Sequence, residues 1–179
     1  MRMTTEEYFA TPESVLPQEL IYGEWQVADA PFSPHQRAVG QLFRALHDCV
    51  DSGRLGEVWV SPLDVVLDAE RAVIVQPDVL FVSNERALIV QNRIYGAPDL
   101  VVEVLSPNPR VGKTHERLGL FARYGVRECW LVHLLERRIE VLSFAGGEIV
   151  ARRSYAGGDP IVSDVLPGFD RTPVSILGY

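Results

Sequence analysis

Cysteine is scarce in this 179-residue chain, and the two present, Cys49 and Cys129, lie far apart with no CxxC spacing. That argues against a disulfide framework or a structural zinc site. It leaves the thiols as small buried hydrophobes and fits a reducing cytoplasm. Long hydrophobic runs are also missing: the apolar stretches are short and broken by charges, so no membrane span is expected. The N-terminal Met-Arg-Met-Thr-Thr-Glu-Glu lacks the apolar core of a secretory signal. Positive charge is in short supply, since 17 basic residues against 24 acidic ones leave a net charge of −7. A protein that coats nucleic acid by bulk electrostatics is therefore disfavoured. An enzyme whose clustered carboxylates hold cations, or whose local basic patch meets phosphate, is not. Repeats, low-complexity tracts and long polar linkers are absent from the sequence too. The length suits one domain over residues 1–179, with a short helical extension at about residues 1–15.

What is present is a strand-rich α/β pattern. The hydrophobic fraction of 47% is enough for a substantial core. Thr4 to Phe9 reads as a short helix, with Thr4 or Thr5 as cap and acids in its first turn. Glu19 to Ala28 reads as a strand pair broken at Gly23. Ser33-Pro34 predicts a helix start, with a capping hydroxyl followed by proline at the first helical position. His35, Val39, Leu42, Phe43, Leu46 and Val50 then recur at helical spacing up to Asp51-Ser52-Gly53. Strands are predicted at Glu57 to Val60, Leu63 to Leu67, Val73 to Val82 and Leu100 to Leu105. A second long helix is predicted from about Arg110 to Tyr124, ending at Gly125. Glu128 to Leu134, Arg138 to Phe144 and Glu148 to Tyr155 follow as a strand and a hairpin turning at Gly146-Gly147. A central mixed sheet flanked by helices accommodates this order.

Two carboxylates break the apolar pattern. Glu103 lies inside Leu100-Val101-Val102-Glu103-Val104-Leu105, where strand alternation sets it with Val101 and Leu105 on one face. Burying an ionised carboxylate costs several kcal/mol unless it is paired, hydrogen-bonded or metal-bound. Asp78 follows a proline and enters the apolar run Val79-Leu80-Phe81-Val82. Two neighbouring strands that each carry one inward acid bring like charges together, and a shared divalent cation relieves them. Oxygen donors favour Mg²⁺ or Mn²⁺. The competing reading makes Asp78 a turn acid and pairs Glu103 with an arginine. Lys113 and Arg117 lie four apart on one face of the following helix, with Leu120, Phe121 and Tyr124 continuing the stripe. They are either cations near the acids or solvated basic residues. Trp59 and Trp130 read most simply as core.

Several segments together resemble the Uma-two family of restriction-endonuclease-like proteins, within the PD-(D/E)XK nuclease superfamily. They are Glu19-Leu20-Ile21-Tyr22-Gly23-Glu24, Ser33-Pro34-His35, Ser61-Pro62-Leu63-Asp64-Val65 and Gln76-Pro77-Asp78-Val79. Ala97 to Pro107, with its Glu103-Val104-Leu105-Ser106-Pro107 ending, Gly125-Val126-Arg127-Glu128-Cys129-Trp130-Leu131-Val132 and Leu166-Pro167-Gly168-Phe169 complete the set. The resemblance covers most of the chain.

The resemblance implies a restriction-endonuclease-like mixed sheet and metal-assisted hydrolysis of DNA phosphodiesters. On it, Asp78 and Glu103 are the metal-ligand acids, helped by the backbone carbonyl of Val104, with Mg²⁺ or Mn²⁺ as cofactor. The superfamily lysine, two residues after the second acid, is Leu105 here. In the family the cation comes instead from the next helix, at the position of Arg117, with Lys113 one turn earlier. Glu19 resembles an acid contributed from the N-terminal region, either a further metal ligand or an exposed strand acid. His35 matches a family histidine that meets phosphate or an acid in the cleft, against the alternative of a satisfied core histidine. Asp64 is given a structural role, and His133, where an aspartate is common, reads as a surface substitution. A homodimer acting on DNA is expected by analogy of fold. The leucine at the lysine position and the acidic net charge keep open a catalytically inactive module that binds nucleic acid or protein. A small-molecule phosphoesterase or an interaction scaffold is a third reading.

Overall fold

A chain that alternates apolar and polar residues over short stretches must stack its sheets to bury them. The computed structural model, which describes residues 2–12, 16–105 and 111–178 with the side chains of 111–113 apart, does this with two mixed sheets. The first comprises β1 (Gln18–Ile21), β2 (Glu24–Val27), β4 (Val65–Asp68), β5 (Val73–Val75) and β7 (Ile94–Tyr95) in the order β2-β1-β5-β4-β7. The second comprises β3 (Gly56–Val60), β6 (Val79–Ser83), β8 (Leu100–Leu105), β9 (Glu128–His133), β10 (Arg138–Ala145) and β11 (Glu148–Ala156) in the order β11-β10-β9-β8-β6-β3. Pairing in the larger sheet is antiparallel except for β8 beside β9. The helices are α1 (Thr5–Phe9), α2 (Ser33–Gly53), α3 (Val111–Tyr124) and α4 (Pro173–Leu177).

The alternation predicted for β8 holds. Leu100, Val102 and Val104 enter a core shared with α2, Trp130 and α4. Val101 and Leu105 enter the opposite core with Leu118 and Phe121 of α3 and with Val65, Val75 and Ile94 of the smaller sheet. A third cluster fastens α1 through Tyr8 to Leu20, Val66 and Ile74. Thr4 is the α1 cap, in a reciprocal capping box with Glu7. In the β10–β11 turn, Gly146 and Gly147 have φ of +61° and +84°, the left-handed pair that a two-residue hairpin needs.

The expected sheet with flanking helices is present, and two local expectations change. The run Val73 to Val82 is two strands in different sheets: β5 ends at Val75, β6 begins at Val79, and Gln76-Pro77-Asp78 crosses between them. Proline lacks the N–H that a continuing ladder requires. Ser33 is the first residue of α2 rather than its cap, and that position falls to Phe32, which makes no side-chain capping bond. The short strand β7 and α4 carry too few residues to show a period, and neither is legible in the sequence. The β11 edge of the larger sheet, along which two copies could pair, is guarded. Val150 is skipped in the β10 register, as a bulge, and Arg152 and Arg153 follow it, features that oppose edge-to-edge pairing.

Candidate active site

The crossing from the smaller to the larger sheet sets the site. Residue Val79 pairs with Val102 across the β6–β8 ladder, so Asp78 sits one step beyond that pair, level with Glu103. The backbone N–H of Val104 donates to Asp78 Oδ2 at 2.7 Å. Glu103 projects from the α3 face of β8, where Arg117 Nε donates to its Oε1 at 2.7 Å. Arg117 Nη1 donates to Glu19 Oε2, also at 2.7 Å. Thus one guanidinium joins β1 of the smaller sheet to β8 of the larger, and its Cζ lies over the Phe121 ring, 5.4 Å from the centroid. The second oxygen of Glu19 accepts the Gln76 backbone N–H at 2.7 Å. His35, in the first turn of α2, places Nε2 3.3 Å from Asp78 Oδ2. Its Nδ1 is buried without a partner among the described residues.

These groups lie along a cleft of about 980 Å³ between the β1–β2 hairpin, the segment leading into α2, and α3. The Asp78 and Glu103 side chains are only 20% and 14% exposed at its floor. Burial pushes the Glu103 carboxyl up to about 8, with the Asp78 and Glu19 charges adding to the rise and Arg117 opposing it. The hydrogen bond to Asp78 is the largest cause raising His35, while burial pulls the other way. Glu103 and Glu19 hold Arg117 protonated, above its ordinary value.

The sequence-predicted residues Asp78, Glu103, Arg117, Glu19 and His35 are therefore gathered in one place. Lys113 lies on α3, but its side chain, like the Ser106-Pro107 segment, lies outside the described residues. Both readings of Glu103 meet here, since it faces Asp78 and is also paired with an arginine. Among the described residues, no three His, Cys, Asp or Glu side chains come together as a ready metal cage. Among the described residues, hydrogen bonds and the His35 contact engage Asp78 Oδ2 and Glu103 Oε1, with the second oxygen of each left as a hard donor. Two carboxylates with retained waters are a usual Mg²⁺ donor set, so the residues fit such an ion. Glu19 is in a different position, with both oxygens engaged.

Gln76 carries a role that its sequence context did not reveal. Its side-chain oxygen accepts the Gln18 N–H, and its Nε2 donates to Asp64 Oδ1 at 2.8 Å. Asp64 also accepts from Tyr8 and Arg93. Burial and the Asp64 charge push the Tyr8 phenol up. Asp64 is thus a support of the wall that holds Glu19. A glutamine between apolar residues was the available signal, but its partners are remote in sequence. His133 is not a surface residue: it is largely buried between Glu136 and Glu140, beside Arg138. Trp130 is fully buried, with Nε1 donating to the buried Glu128.

A model of the Uma2 family, described as "putative restriction endonuclease", matches residues 5–175. Among solved structures, a protein from Anabaena variabilis ATCC 29413, described as a "putative nuclease belonging to DUF820", superposes with a TM-score of 0.82. The match covers 98% of each chain at 16% sequence identity, so it speaks for the fold. No protein of curated function matches the chain significantly.

Proposed function

The chain belongs to the Uma2 family, and on that premise we propose that the cleft is the site of a divalent-metal-dependent endonuclease that hydrolyses DNA phosphodiester bonds. The observation that carries the reading is the opposition of Asp78 and Glu103 across the β6–β8 ladder, recessed in a cleft, with Arg117 against one of them. Asp78 and Glu103 would hold Mg²⁺ or Mn²⁺ through their remaining oxygens, assisted by the Val104 backbone. Such an ion supplies an acidified water and neutralises charge that develops on the phosphate.

The chain's own residues do the rest. The Val104 N–H and His35 fix the Asp78 carboxylate, as outer partners of metal ligands do. Arg117 stays protonated, so it binds and orients the phosphate rather than accepting a proton. Lys113, the single lysine of the chain, is the other candidate for that task one turn earlier on α3. Glu19 positions Arg117, and it becomes a metal donor only if that arginine swings toward substrate. A homodimer would present two such clefts, and it would need a surface other than the guarded β11 edge.

The test is Mg²⁺ and Mn²⁺ titration of cleavage on plasmid and single-stranded DNA, with the wild-type protein and Asp78→Ala. Metal-dependent cleavage that Asp78→Ala lowers by about 100-fold supports the reading. Cleavage unchanged by Asp78→Ala would assign the activity elsewhere. A second reading, a non-catalytic module that binds nucleic acid or protein, is favoured by Leu105 at the lysine position and by Arg117 being occupied with two carboxylates. It expects DNA binding without cleavage in either metal, with a salt dependence that Mg²⁺ binding at the acids does not alter.

A further inference from the structure

We propose that the cleft takes an unpaired nucleic-acid strand rather than an intact duplex, and that Phe32 is the ring on which a base stacks. The proposal rests on the nuclease reading and names its substrate class. Phe32 lines the rim of the cleft and is 74% exposed. It occupies the N-cap of a 21-residue helix, where Ser, Thr, Asp or Asn would satisfy a free N–H, and it makes no capping bond. Ser33, the next residue, would have supplied that bond. A large ring left in water at a capping position does nothing for folding, and such local violations concentrate at functional positions. Pro31 and Pro34 bracket it and restrict the backbone, so the ring is presented with little entropy left to lose.

The rest of the cleft favours stacking over duplex docking. Proteins that grip a duplex do so mainly through rows of Lys and Arg on phosphate oxygens. Among the described residues lining this cleft, the basic groups are His35 and Arg117, and both are bonded to carboxylates. Glu19, Asp29, Asp78, Glu103 and Glu116 line it as well. These described groups offer little attraction to a phosphate backbone, and base–aromatic contact is a source of affinity that does not depend on them. Depth points the same way. The two acids are 20% and 14% exposed at the floor, and an unpaired strand, free to bend and splay its bases, reaches recessed groups more readily than a paired helix does. A single strand can lay a base on Phe32 and lower the adjoining phosphate to Asp78 and Glu103. Apolar Val27, half exposed across the rim, gives a second surface for a neighbouring base.

The experiment is fluorescence anisotropy with a labelled mixed-sequence single-stranded oligonucleotide and its blunt duplex, in EDTA and in Mg²⁺, using the full chain, Phe32→Ala and Phe32→Trp. The single strand is expected to bind at least about tenfold more tightly than the duplex. Phe32→Ala should lose about tenfold of that affinity, while Phe32→Trp retains it, because stacking needs only a π-face. Thermal melting of both variants should match the wild-type protein. Equal or tighter duplex binding, or affinity indifferent to Phe32→Ala, overturns the proposal. So does a change of sedimentation in Phe32→Ala, which would make the ring a contact between two copies of the chain. The two layers fail separately: Phe32-dependent strand binding without metal-dependent cleavage sinks the nuclease reading alone. Asp78-dependent cleavage of duplex that ignores Phe32 sinks only this one.

Discussion

Replacing Arg117 with alanine should strip the cleft of the guanidinium that two carboxylates, Glu103 and Glu19, now share. Arg117 makes two charge-assisted hydrogen bonds of 2.7 Å, to Glu103 and Glu19, and its side chain is 21% exposed. Removing one partner of a buried pair leaves an uncompensated charge and costs about 3–5 kcal/mol. Domains of ordinary stability have about 5–15 kcal/mol in total, so the variant should unfold at a clearly lower urea midpoint. The loss should also depend on pH. Glu103 is raised in the folded state, so the contribution of its protonated form is full below the unfolded carboxyl value. That contribution is lost as pH rises toward about 8. Arg117 opposes that rise, so without it the window of loss extends to higher pH. The stability difference between wild type and Arg117→Ala should therefore be larger at pH 8.5 than at pH 5.5. If the exposed acids then take Mg²⁺, saturation at a hundred times Kd should return about 2.7 kcal/mol. Urea denaturation followed by tryptophan fluorescence at the two pH values, with and without Mg²⁺, measures all three effects. A loss below about 1 kcal/mol that is the same at both pH values would falsify the charge-compensation argument.

Other perturbations probe the frame around the site. Asp99 is 1% exposed, accepts the Ser83 N–H at 2.8 Å and faces Arg86 and Arg127. Asp99→Ala should cost about 3–5 kcal/mol by thermal melting, and a change under about 1 kcal/mol would count against the pairing. Burial raises Glu128 against hydrogen bonds from Ser163, Trp130 and Asp164. Its contribution is therefore present below the unfolded carboxyl range and lost as pH rises through the folded value, and Glu128→Gln should flatten that segment of the stability–pH curve. Gly56→Ala would set a Cβ 2.1 Å from the Val82 carbonyl oxygen at a φ of +153°. Backbone must shift there, so a loss of at least about 1–3 kcal/mol in chemical denaturation is expected, and a neutral variant would refute it.

The sequence by itself determined a good part of this. Helical spacing from Val39 to Val50 gave the buried face of α2, and Gly146-Gly147 gave the hairpin turn, because these signals are local and periodic. The alternation of β8 put Glu103 opposite Val102 and Val104, since a strand's side chains must alternate whatever surrounds them. The acids at 78 and 103 were conspicuous because apolar strands do not tolerate stray carboxylates. The resemblance to the Uma-two family rested on motifs spread along the chain, and the family model matches residues 5–175.

Tertiary structure decided the rest. Nothing local says that Val73 to Val82 divides between two sheets, because both halves are equally apolar and only strand partners distinguish them. Glu19 and Arg117 are 98 residues apart, and their bond exists only because β1 is brought against α3. The same holds for Gln76, whose partners are Gln18 and Glu19 of β1 and Asp64 just before β4. Whether His133 is exposed depended on which way β10 folded back over β9. The two carboxylates were thus written in the sequence, where their cost in an apolar strand made them visible. The arginine between β1 and β8, the histidine on Asp78 and the ring at the rim were fixed by packing, because long-range contacts leave no periodic trace in the chain that makes them.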